Sequence, residues 1–157
     1  MGLDMYLSKR TYVQNWDHQT PEERHTVTVT GPRARAIDPE RVSYIVEEVA
    51  YWRKANAIHA WFVDRCQDGN DDCRDASVQD QDLRDLVDLC ESLLAEYATD
   101  PEAATVRAAT ALPPQAGFFF GSTDIDQSYW DDLRDTVTML RPYLGDQDSD
   151  YYYRSSW

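Results

Sequence analysis

The chain is short of cations, of cysteine and of long apolar runs, and each shortage closes off a class of function. Lys and Arg number 15 against 29 Asp and Glu, a net charge of −14. Non-specific binding to nucleic acid or to an anionic membrane needs a cationic field, so that balance argues against both, although it leaves room for a local basic pocket. The cysteines are three, Cys66, Cys73 and Cys90. So small and odd a number fits reduced thiols in a cytosol, and sequence alone does not support a Cys66–Cys73 bridge. No apolar run reaches the ~18 residues of a membrane span. The opening MGLDMYLSKR lacks the basic start and apolar centre of a signal peptide, and Ser8 falls too late for a myristoylation match. A cytoplasmic protein is expected, as one domain over residues 1–157.

Hydrophobic content of 42% in a chain of this size is enough for a core without metal or disulfide staples. Leu3, Met5 and Leu7 alternate with Asp4, Tyr6 and Ser8, which predicts a strand. HTVTVTG predicts a second, with Val27 and Val29 on one face and a Gly31-Pro32 stop, paired antiparallel with the first through the loop carrying Trp16 and His18. Asp38, Pro39 and Ile37 read as cap, first turn and staple of a long helix running to about Cys66, with Gly69 supplying the turn beyond it. Leu83, Leu86, Val87, Cys90, Leu93, Leu94 and Tyr97 form one stripe of a second helix. ATDPEAATVRAAT reads as a loose helix or a loop. A third helix is expected from near Ser128 to Arg141-Pro142, and DYYYRSSW as a closing strand. The fold class is therefore α+β: a small antiparallel sheet, from N-terminal strands plus a C-terminal strand, packed against about three helices.

Two stretches concentrate chemistry. In YWRKANAIHAWF, positions 42, 45, 49, 52, 56, 59 and 63 share a helical face, so Asn56 and His59 interrupt an apolar stripe one turn after Trp52. Buried, both need hydrogen-bond partners, and internal satisfaction with Arg53 and Lys54 on a wet flank is one reading. The other is a ligand pocket. Tyr51 or Trp52 would stack on a flat ring, Arg53 and Lys54 would take phosphate or carboxylate, and Asn56 and His59 would read hydrogen-bonding edges. In LPPQAGFFFGSTDID, a buried core strand with turn glycines is the plainer reading. Gln115 and Ser122 are the polar candidates if the segment lines a pocket. QDGNDDC places its glycine too early for an EF-hand, and His59, Cys66 and Cys73 lack zinc spacing. No catalytic residue, metal or cofactor is assigned.

The strings MGLDMYLSKRTYV, YIVEEVAYWRKANAIHAWFV, QDGNDDC, LPPQAGFFFGSTDID and YYYRSSW, in that order, resemble a widespread family of phage-encoded proteins of this length. That family is similar to the viral anti-CBASS sponges, which sequester the cyclic nucleotide signals of bacterial immunity without cleaving them. The resemblance implies action in the cytoplasm of an infected bacterial host and a cyclic dinucleotide ligand such as cyclic GMP-AMP. It also implies a homo-oligomer, with a tetramer among the assemblies expected. It carries over Trp52, Arg53, Lys54, Asn56 and His59 as residues of a matching motif, with Lys9 and Arg10 as further phosphate contacts. Two alternatives stay open: a nucleotide- or phosphoester-processing enzyme using His59 as acid or base, and an acidic DNA mimic that inhibits a host protein.

Overall fold

Four strands in the order β2-β1-β4-β3, every neighbouring pair antiparallel, form the sheet of the computed structural model, which describes residues 2–157. They are β1 (Asp4–Tyr12), β2 (Tyr44–Arg53), β3 (Ala76–Val78) and β4 (Ser149–Ser156). Four helices accompany them: α1 (Asn56–Cys66), α2 (Asp80–Thr99), α3 (Pro101–Ala111) and α4 (Gln127–Leu140). The fold is α+β, as the sequence predicts.

Alternation sets the inner face of the sheet. Met5 and Leu7 of β1, Ala50 and Trp52 of β2, and Tyr151, Tyr153 and Ser155 of β4 are buried. The opposite face carries Tyr6, Tyr51, Tyr152 and Arg154. There Tyr6 packs on Tyr51 with ring centroids 5.4 Å apart, and Arg154 lies over Tyr6. The β1–β2 register slips between Leu7 and Ser8, a bulge that breaks the alternation of β2 at Val49.

Helices α2 and α4 bury one stripe each, whereas α1 buries four consecutive residues at its start, Asn56 to His59. Leu83, Leu86, Val87, Cys90 and Leu93 of α2 face Tyr129, Trp130, Leu133, Val137 and Leu140 of α4, and Trp130 stacks on Tyr97 at 4.2 Å. The segment left open between helix and loop is α3, capped by the Asp100 carboxylate; its buried Ala104 and Ala108 let it sit close to α2. Phe62 of α1 stacks on Tyr153 at 4.2 Å and 9°, tying α1 to β4.

Three expectations are corrected. The long helix from Asp38 does not form. Asp38 does accept from the Glu40 N–H, but the turn it starts, Pro39–Arg41, ends at once. Residues 44–53 then run as β2, because Tyr44, Ile45, Val46, Val49, Tyr51 and Trp52 are β-branched or aromatic and pair with β1. Lys54, at φ 60°, stops the strand, and α1 begins two residues later. HTVTVTG forms no strand either: residues 24–30 are irregular and unpaired, and β1 takes β2 and β4 as its neighbours instead. Finally, the triple phenylalanine is a turn, with Phe120 buried and Phe118 and Phe119 exposed.

Candidate functional site

The end of β2 turns directly into α1, and that junction forms one wall of a cavity of about 260 Å³. Lys54 is held in its left-handed conformation by two backbone hydrogen bonds: its N–H donates to the Leu3 carbonyl at 2.8 Å, and its carbonyl accepts from the Asn56 N–H at 2.8 Å. Gly121 permits the close approach of the loop opposite. It has φ 92°, and a Cβ there would sit 3.3 Å from Lys54 Cβ. Around Gly2 the side chains of Lys54 and Arg53 converge with the Phe119 carbonyl, since a Cβ on Gly2 would lie 3.3 Å from Lys54 Cε and 4.0 Å from Arg53 Nη2.

The start of α1 is bare. Its N-cap, Ala55, offers no side-chain acceptor. Among the described residues the N–H groups of Ala57 and Ile58 have no partner, and both residues line the cavity. Unsatisfied N–H groups and the helix dipole make such an end attractive to anions. Arg53 and Lys54 add formal charge. From Tyr44 onward, every cation among the described residues except Arg53, Lys54 and Arg154 is in an ion pair, and Arg154 lies on Tyr6.

The facing wall is acidic and belongs to α4 and the loop before it. Asp126 is occupied as the cap of α4, accepting from Ser128 N–H at 2.9 Å and Tyr129 N–H at 3.3 Å. Asp132 has no such duty. Burial raises its carboxyl to about 7, with the nearby charges of Asp135, Asp131 and Asp126 pushing the same way. Asp124 and Ser122 complete that side. In the loop before Gly121, Phe118 and Phe119 stand exposed, their rings 4.1 Å apart.

The nine residues singled out from the sequence fall into separate places. Arg53, Lys54 and Asn56 line the cavity together. Asn56 is also the clamp that fixes its rim: its side-chain amide donates to the carbonyls of Phe120 at 3.1 Å and Ser122 at 2.8 Å, and its Oδ1 accepts from the Gln115 N–H at 3.0 Å. Gln115 thus takes part through its backbone. Trp52 is buried under the junction, its indole N–H donating to Thr136 Oγ1 at 2.9 Å. Tyr51 lies on the outer sheet face and donates to Asp4 at 2.5 Å. Lys9 pairs with Asp146 at 3.3 Å, while Arg10 pairs with Asp75 and stacks on Tyr152.

His59 is fully enclosed and does not line the cavity. In its neutral form Nε2–H donates to Asp71 at 2.8 Å and Nδ1 accepts from the Tyr153 hydroxyl at 2.7 Å. Trp157 N–H takes the other Asp71 oxygen at 3.0 Å. This network ties α1, the loop after it and the C-terminal strand together. Cys66 and Cys90 are free thiols raised to about 12 by burial, and Cys73 is also unbridged. Among the described residues no group of three or more His, Cys, Asp or Glu is placed to hold a metal ion, and no helix is long and apolar enough to cross a membrane.

Asp124, Asp126 and Asp132 were missed in the sequence. Only Asp126 carried a signal, as an acceptor two residues before the helix predicted from Ser128. Compared with protein-family models, with curated proteins and with solved structures, the chain matches none.

Proposed function

We propose that the protein binds a nucleotide-like anion at the β2–α1 junction and holds it without cleaving it, with a cyclic dinucleotide as the ligand and sequestration of an immune signal as the purpose. The observation that carries this reading is the pair of cations without acidic partners, Arg53 and Lys54, set beside the uncapped start of α1. Phosphate is the ligand group that answers both. The opposite wall supplies acceptors. Asp132 and Asp124 suit the N–H edge of a base, guanine above all, whose adjacent ring and amino N–H groups match a carboxylate. The exposed Phe118–Phe119 pair offers ring faces for stacking.

A cavity of about 260 Å³ is small beside the 300–1,000 Å³ usual for a drug-sized ligand. It suits one nucleotide half, so a cyclic dinucleotide would leave its second half at the mouth, where another copy of a homo-oligomer could cover it. The setting that the sequence resemblance implies, a phage protein acting in the cytoplasm of its bacterial host, belongs to this proposal. The acidic DNA-mimic alternative has no equivalent in these residues, and the enclosure of His59 by Tyr153 and Asp71 keeps the histidine on which the phosphoester-processing alternative relies out of the cavity.

The test mixes purified protein with cyclic dinucleotides and cyclic ADP-ribose isomers, follows the unfolding midpoint, then denatures the protein and identifies released ligand by mass spectrometry. A ligand at a hundredfold excess over its Kd adds ~2.7 kcal/mol, a rise of several degrees. The expected result is such a rise, intact ligand on release, and loss of the rise in Arg53→Ala/Lys54→Ala. A chemically altered ligand would make the protein an enzyme. No rise with any nucleotide, or a rise that survives the double substitution, overturns the proposal.

A further inference from the structure

The stretch TVTVT has the strongest strand pattern in the chain and no strand to join. Residues 24–30 form no turn, bend or helix. Thr26, Val27, Thr28, Val29 and Thr30 are all β-branched, the residue class that favours extended backbone. Among the described residues none of their N–H or C=O groups has a hydrogen-bond partner. The direction of the segment is nonetheless fixed at its base. The Asn15 side chain donates to the His25 carbonyl at 2.8 Å and accepts from the His25 N–H at 2.8 Å, as a neighbouring strand would. No residue from 14 to 43, between β1 and β2, belongs to the hydrophobic core, so this is an arm standing off the body.

The complementary half is β2. It is an edge strand of the sheet, and its side away from β1 is unpaired. Its first five residues are exposed on both faces, with Tyr44 at 48%, Ile45 at 42% and Val46 at 59%. An edge this apolar is a template for another strand.

We infer that the arm of one copy adds as a strand to the β2 edge of a second copy, and that reciprocal exchange closes a two-fold dimer. The occupant is a second copy because charge selects it. Residues 24–37 hold Arg24, Arg33 and Arg35 and no acid, in a chain of net charge −14. The edge holds Glu47 and Glu48, and among the described residues neither these acids nor those arginines form an ion pair. Direct β2–β2 pairing over the exposed stretch would gather four glutamates, whereas the arm brings arginines to them. In its own copy the arm's Val27 lies over an open cavity of about 510 Å³ with Val13 and Val42, not on β2. This inference is independent of the nucleotide reading.

The experiment is sedimentation of the full chain over a wide concentration range, with hydrogen exchange of the same samples. Wild type is expected to dimerise, with amides 26–30 protected only in the dimer. Thr28→Pro removes a donor in the arm, away from the core, and should weaken the dimer by at least about tenfold. Glu47→Arg/Glu48→Arg should weaken it as well, and adding Arg33→Glu/Arg35→Glu should restore it. A chain that stays monomeric, a dimer indifferent to Thr28→Pro, or charge reversals that show no mutual rescue each overturns the inference.

Discussion

Asp132→Asn should make the protein more stable at neutral pH and leave it nearly unchanged in acid. The carboxyl is raised from the ordinary 3.8 to about 7, first by burial and then by the charges of Asp135, Asp131 and Asp126. The folded state therefore holds a proton on Asp132 across a range where the unfolded chain has released it. Where the folded state binds more protons, stability falls as pH rises. The contribution is full below about 4, declines through the window from about 4 to about 7, and stays lost above it. For a fully buried group the loss would be about 4 kcal/mol. Asp132 lines an open cavity, so solvent screening reduces this to about 1–2 kcal/mol. Asparagine keeps the shape and cannot ionise. At pH 8 its midpoint should lie about 3–6 °C above wild type, and at pH 4 the two should nearly coincide. Thermal unfolding of both chains at half-unit steps from pH 4 to 9 checks this. A difference that is constant with pH would show that the gain comes from packing or a new hydrogen bond. No gain at pH 8 would show that Asp132 is solvated well enough to ionise freely.

Asn56→Ala removes two donated bonds and one accepted bond, leaving the Phe120 and Ser122 carbonyls and the Gln115 N–H short of a partner. Equilibrium denaturation should show a loss of about 2–4 kcal/mol, with faster hydrogen exchange at Gln115; a loss under about 1 kcal/mol would mean that water replaces the clamp. Cys66 and Cys90, both raised to about 12, should hold only about one part in ten thousand as thiolate at pH 8. Iodoacetamide followed by peptide mapping should find both far slower to react in the native chain than in urea, and rapid native labelling of Cys66 would contradict its assigned burial.

The elements that were legible from sequence are those that bury a single face. The stripes of α2 and α4 and the alternation at the start of β1 each meet one neighbour and one solvent side, so periodicity reports them directly. β2 hid because it has no buried face over its first five residues, and because the bulge at Val49 spoils the alternation of the rest. Its apolar residues then happened to fall three and four apart in line with those of α1, and two elements read as one helix. TVTVT failed in the opposite sense: its pattern is ideal for a strand, but a strand needs a partner, and none within the same copy is in place.

The merged reading marked Arg53 and Lys54 as candidate phosphate contacts but set them on the wrong element. As residues of a continuous helix they would sit on a wet flank, free to pair with any of the surplus acids. At a strand-to-helix junction Lys54 is fixed by backbone bonds to Leu3 and Asn56, and both cations are carried to the start of α1. Most other cations in the body of the fold are in ion pairs, whereas Arg53 and Lys54, both exposed, are in none. Of the acids lining the same cavity, Asp126 accepts the first N–H groups of α4, burial raises the Asp132 carboxyl to about 7, and none of Asp124, Asp126 and Asp132 is in an ion pair with the two cations. The result is two cations without ion pairs set into a cavity whose other wall carries Asp124, Asp126 and Asp132, and the proposed anion binding rests on those two cations.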